Sequence, residues 1–242
     1  MSSASNMPES SNEWSTRWTM AFVGAALIVA LIGLGVLLAI LGYSPLESMR
    51  RALDGVFALS SAQTTWYVTR AAGTISYLLL WLSTVWGLAV SNKILDPVLH
   101  RAFTYDFHQF LSLLAIGFVF LHIGVLLADQ YLPFSVAQIL VPFAAPYRPV
   151  WVGIGTIGLY LTLLVSITFY IRRWIGQKTF RVIHLVSYLA FTAAALHGLF
   201  AGTDSPLPTV QAMYLLTTLS VVFLTAYRIV TSRRLRRQSI AP

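Results

Sequence analysis

Arg181–Asp204, RVIHLVSYLAFTAAALHGLFAGTD, is the stretch on which the reading of this chain turns. It is apolar, it exceeds the ~20 residues that a helix needs to cross the hydrocarbon of a bilayer, and it carries a histidine near each end, His184 and His197. A second stretch, Thr104–Asp129, TYDFHQFLSLLAIGFVFLHIGVLLAD, repeats the arrangement with His108 and His122. A histidine inside a spanning segment is uncommon and marks a functional hypothesis. The plain alternative is that each ring hydrogen-bonds a neighbouring helix as packing glue. Four rings in two matched pairs weigh against that alternative.

Outward from these stretches the chain is apolar almost throughout. Hydrophobic residues make up 57% of the 242 and charged ones 10%, against roughly a quarter charged in a soluble domain. Six apolar runs of spanning length follow one another, Trp18–Gly42, Trp66–Val90, Thr104–Ala128, Trp151–Trp174, Thr179–Phe200 and Thr209–Val230. Turn residues mark the joints between them: Ser44-Pro45, Asp96-Pro97, Pro142 to Pro149, Gly176, and Asp204 to Pro208. The expected fold is an all-α integral membrane protein, a bundle of six transmembrane helices over 17–231. A polar cytoplasmic tail over 1–16 precedes it and a basic cytoplasmic tail over 232–242 follows it. The polar start does not read as a signal peptide. The connection from Gln130 to Val150 has four prolines and is expected to lie in the interface as a short helix or re-entrant segment.

The basic residues suggest the orientation. With the N-terminus inside, Arg17, Lys93, Arg101, Arg172, Arg173, Lys178, Arg181, Arg228, Arg233, Arg234, Arg236 and Arg237 fall on the cytoplasmic side. Only Arg50, Arg51, Arg70 and Arg148 fall outside, twelve against four, so both termini are expected in the cytoplasm. The net charge of +8 is thus explained by lipid headgroups and topology, and no nucleic-acid partner is expected. The expected location is a bacterial cytoplasmic (inner) membrane.

The histidine spacing carries the chemistry. His108 and His122 are 14 residues apart and His184 and His197 are 13 apart, about 20 Å along a helix in each case. The third and fifth runs cross in the same direction, because one run lies between them. His108 therefore matches His184 in depth near the inner face, and His122 matches His197 near the outer face. The chain has no cysteine, which excludes thiolate metal sites and iron–sulfur clusters built from its own residues. Two imidazoles fall short of a bare zinc or copper site, but they complete six-coordination when a porphyrin supplies four nitrogens. The expectation is two b-type haems, one held by His108 and His184, the other by His122 and His197, passing electrons across the membrane. A haem-free transporter relaying protons through the same histidines is the least favoured alternative. A 14-residue step returns to within about 40° of one helix face, whereas a 13-residue step misses by roughly 140°. An irregularity or strong tilt is therefore predicted between His184 and His197, with Ser187 or Thr192 as candidates to bend the helix.

Other residues are weighed on the same scheme. Arg70, one turn inside the second run, is a candidate for an outer haem propionate, with headgroup snorkelling as the plain reading. Tyr147 and Arg148 are candidates at the same face, and Arg101 and Arg181 at the inner one. Phe118 and Phe191 lie between the paired histidines and are candidates for packing between the two haems. Gly73, Gly117, Gly158 and Gly198 are read as points of close approach. His100 is expected to be solvated or to contact a propionate.

Several of these segments resemble the ferric reductase-like transmembrane domain: R-A-A-G from Arg70 to Gly73, Tyr147–Gly153, the basic pair Arg172-Arg173, and F-R-V-I-H followed by H-G-L-F-A-G-T-D. The resemblance covers roughly Trp66 to Asp204. It implies a six-helix bundle with haem b held by histidine pairs on two helices, like the membrane half of NADPH oxidases and ferric reductases. Phe180 stands where that family often has tryptophan. The flavin and nicotinamide module of those enzymes is expected to have no counterpart in this sequence. The expected donor is therefore a separate cytoplasmic flavoprotein reductase or a quinol, and no catalytic domain of its own is expected. The expected acceptor lies outside: ferric iron, oxygen or a redox partner. The alternative is an accessory haem-binding subunit of a larger membrane redox complex. In its stand-alone form the bundle is also similar to the haem-binding membrane subunit that feeds a periplasmic methionine sulfoxide reductase.

Overall fold

The computed structural model describes residues 62–129 and 132–238. The first expected span, Trp18–Gly42, and the polar N-terminal tail lie outside the described residues. The described chain is helical, with seven helices: α1 Ala62–Ser91, α2 Arg101–Ala128, α3 Val136–Leu140, α4 Pro149–Ile175, α5 Gln177–His184, α6 Ser187–Ala201 and α7 Pro208–Gln238. Counting α5 and α6 as one crossing, five of these are long and apolar enough to span a membrane. Their outward faces are apolar too: Leu215, Leu216, Leu219, Val222 and Phe223 of α7 are all exposed. In water that surface would be a liability, and in lipid it needs no cover.

Local chemistry sets the helix ends. Pro149 opens α4, where a missing N–H costs nothing, after Arg148 in the left-handed region at φ 40°. Gly176, at φ 81°, closes α4 and starts α5 in a backbone shape that a Cβ would disfavour. Between α1 and α2 the chain turns through Asn92–His100, with Lys93 at φ 57°. Helix α7 carries on through the basic cluster to Gln238, so Arg233–Arg237 extend the helix.

The bundle is two hairpins and a closing helix. Helix α1 packs along α2, α4 packs along α5 and α6, and α7 closes against α1 and α6. The core between α1, α6 and α7 is built from Tyr77, Leu88, Phe191, Tyr214 and Val221. The hydroxyl groups of Tyr77 and Thr217 lie 2.5 Å apart, and the Trp81 indole N–H donates to Ser220 at 2.8 Å. These bonds matter because a polar group left alone in hydrocarbon costs several kcal/mol, about the sum of many apolar contacts.

The connection between α2 and α4 folds down the side of α4. Ser135 and Gln138 form a capping box that starts the short helix α3. Thr156 donates to the Ile139 carbonyl at 3.1 Å, and the Tyr160 hydroxyl donates to that of Leu140. Tyr160 is eleven residues beyond Pro149, roughly 16 Å along the axis. The segment therefore reaches well into the bundle's length, as a re-entrant piece would.

Candidate metal centres between two hairpins

The histidines of α2 come from one hairpin and those of α5 and α6 from the other. Helices α2 and α6 make almost no close backbone contact, yet their imidazoles meet across the gap. The rings of His108 and His184 have centroids 6.1 Å apart and planes at 74°. Those of His122 and His197 are 6.3 Å apart at 79°. Two imidazoles bound to one metal, each nitrogen about 2 Å from it, place their ring centres roughly 6 Å apart. The pairing inferred from matching depth is the pairing the backbone produces. The two pairs stand at different levels, about 21 Å apart along α2.

Helix geometry explains how a 13-residue step manages this. The helix is interrupted at Leu185 and Val186, whose ψ angles of −22° and −18° are those of a 3₁₀ turn. The amides of Leu185, Val186 and Tyr188 bond three residues back, to Val182, Ile183 and Leu185. A 3₁₀ turn advances about 120° per residue instead of 100°, so three or four such residues recover roughly 60–80° of the 140° mismatch. Thr192 does bond back to the Tyr188 carbonyl at 2.8 Å, but inside regular α6. The interruption lies next to Ser187.

Three of the four rings are oriented through Nδ1. His122 Nδ1 donates to the Thr69 carbonyl of α1 at 2.8 Å, and His197 Nδ1 donates to the Trp151 carbonyl of α4 at 3.0 Å. The two carbonyls come from the neighbouring helix of the same hairpin. His108 Nδ1 lies 3.2 Å from the Ser83 hydroxyl of α1. With Nδ1 committed as a donor, Nε2 keeps the lone pair that a metal needs.

Three glycines make room for these rings. A methyl group on Gly73 would lie 3.0 Å from the His122 ring, on Gly87 3.0 Å from His108, and on Gly155 2.5 Å from His197. Gly73 was legible in advance, whereas Gly87 and Gly155 were missed. The signal was present for Gly87: it follows Gly73 by 14 residues, the same step as His108 to His122. Gly198 is occupied differently, against the Tyr214 hydroxyl, and Gly158 against Ala193.

At the end of the bundle where α2 stops and α4 starts, Arg70 pairs with Asp204 of the α6–α7 loop and lies 3.9 Å over the Trp66 ring. Its Nε is buried and makes no hydrogen bond among the described residues, and the same holds for the hydroxyl of Thr69. Two orphaned polar groups beside His122 fit a further anionic group, as a propionate would be. Tyr147 donates to the Ala201 carbonyl at 3.3 Å and Arg148 to that of Phe200 at 2.5 Å. Both tie the start of α4 to the last turn of α6, just beyond His197. At the opposite end Arg101 is exposed and pairs with Asp96 at 3.5 Å. Arg181 is exposed three residues before His184, and His100 is exposed at the start of α2. Phe191 stacks on Tyr77 with centroids 5.8 Å apart, at a level between the two histidine pairs. Phe118 is partly buried on α2, four residues before His122.

Among the described residues no cluster of three or more His, Asp or Glu could hold a bare ion. Each donor set is thus two imidazoles, which fits a metal that brings its own equatorial ligands. Comparison of the chain with protein-family models, with curated proteins and with solved structures returned no match.

Proposed function

We propose that this protein is a dihaem b-type membrane cytochrome that carries electrons from one face of a membrane to the other. The observation that carries the reading is the double coincidence of the rings: two imidazole pairs, each with centroids about 6 Å apart, at two levels of one bundle. Packing glue has no need to repeat one separation at two depths while keeping the partner helices apart. His108 with His184, and His122 with His197, would each hold a haem, which would supply a one-electron couple suited to electron transfer.

The chain's own residues do the rest. Thr69 and Trp151 hold the rings of His122 and His197 through their carbonyls, and Ser83 holds His108. Arg70 offers a guanidinium for a propionate at the outer site. The buried Tyr77–Phe191 stack fills the level between the sites. A sixth span at Trp18–Gly42 and both termini in the cytoplasm complete the proposal, together with a place in a bacterial inner membrane. His108 and His184 then form the inner site, which receives electrons from a cytoplasmic flavoprotein reductase or a quinol. His122 and His197 form the outer site, which passes them to ferric iron, oxygen or a redox partner, or into a larger membrane redox complex. The quoted motifs support kinship with ferric reductase-like membrane domains.

The test is spectroscopic. Protein expressed with ample haem and purified in detergent should show a Soret band and a pyridine haemochromogen ratio of two per chain. Absence of a Soret band would remove the proposal, and a ratio of one would leave only one of the two sites.

A further inference from the structure

Three histidines are tied through Nδ1, but not by the same chemistry. His122 and His197 give their proton to backbone carbonyls. His108 meets Ser83, whose hydroxyl lies 2.7 Å from that of Ser112, and Ser112 in turn donates to the His108 carbonyl at 2.9 Å. The last bond fixes the direction of the whole ring of contacts. The Ser112 proton is used on the carbonyl, so Ser112 oxygen accepts from Ser83. The Ser83 proton is then used on Ser112, so Ser83 oxygen accepts from His108 Nδ1. The loop starts on the His108 ring and ends on the His108 backbone. It holds the tautomer in which Nε2 is free, and each bond polarises the next.

We infer that Ser83 and Ser112 set the redox poise of the His108 site apart from that of the His122 site. The inference rests on the haem reading above. A hydroxyl draws less on the Nδ1 proton than an amide carbonyl does. A ring whose proton is drawn less strongly gives less electron density through Nε2 to the metal. The oxidised metal is then less stabilised, and the site accepts an electron more readily. The His122 and His197 rings both have carbonyl partners, so their site is the lower in midpoint potential. Ser83 and Ser112 are positioning residues in this scheme, acting only through His108.

Redox titration of the full chain in detergent, followed in the haem absorption bands, reads this directly. Wild type should give two one-electron waves, and His108→Ala should remove the upper one. Ser83→Ala should keep two haems per chain and raise the upper wave alone. The expected change is about threefold in the oxidised-to-reduced equilibrium, or about 30 mV at 59 mV per tenfold. Ser83→Thr, which keeps a hydroxyl, should return that wave to its wild-type position. If Ser83→Ala fails to accumulate, Ser112→Ala decides the matter with a smaller shift of the same sign. Two haems with unmoved waves, waves that move together, or loss of the lower wave in His108→Ala would overturn the tuning role and leave the cytochrome reading standing. Wild-type protein without haem would overturn both.

Discussion

The His108–His184 pair and the His122–His197 pair are built to nearly the same separation and held by different means. Around His122 and His197 the partners are peptide carbonyls, which no substitution of the partner residue removes. Around His108 they are two serine hydroxyls, which a single substitution can change. The same contrast holds for charge. An arginine paired with Asp204 and laid over Trp66 stands beside His122, whereas the arginine nearest the start of α2 is exposed and loosely paired. One site is fixed by backbone, and the other by side chains that are free to vary. Similar ring geometry therefore does not imply similar electronic behaviour.

The most severe way to break the comparison is to remove one ring. His122→Ala or His197→Ala should lower the haemochromogen ratio from two to one and stop transfer to an outer acceptor. The spectrum of the remaining site should survive, and His108→Ala should give the complementary spectrum. Loss of both haems in either variant would mean that the pairs are not independent. A subtler way is to fill the glycine clefts. Gly155→Ala sets a methyl group 2.5 Å from the His197 ring, whereas Gly87→Ala sets one 3.0 Å from His108. Overpacking of this kind costs about 1–3 kcal/mol. Gly155→Ala should therefore lose most of the outer haem, and Gly87→Ala should keep its haem with a shifted band. Equal retention in both would show that the clefts do not position the rings. The smallest expected effect concerns the arginines. Arg70→Ala removes a partly buried ion pair and a cation–π contact, together about 1 kcal/mol after allowance for solvent. Arg101→Ala should change the unfolding temperature in detergent by an amount near zero. A larger loss for Arg101 would reverse the assignment of the firmer end.

Much of this was legible in advance because membrane sequences are simple in their periodicity. Apolar runs bounded by Pro, Gly and charge located every described crossing. Equal depth on two runs in the same direction was enough to pair His108 with His184 and His122 with His197. The 13-residue step called for an irregularity or a strong tilt, and the helix is interrupted at Leu185 and Val186. What sequence could not supply was which helix stands behind each ring. The carbonyls of Thr69 and Trp151 are backbone atoms without a residue signature, so nothing in the letters marks them. Ser83 and Ser112 are ordinary helix serines until α1 and α2 are laid side by side. Arg70 was read toward a propionate, and its pairing with Asp204 needed the α6–α7 loop to fold back.

Each ring pair draws one member from the α1–α2 hairpin and one from the hairpin of α4 with α5 and α6. The consequence concerns biogenesis. A nascent chain that has inserted only its first hairpin owns two rings and no complete clamp. On the proposed haem reading, capture of a porphyrin would wait for the second hairpin and would then rivet the two units together at two levels. Cofactor supply would then govern how long the newly made protein survives membrane proteases.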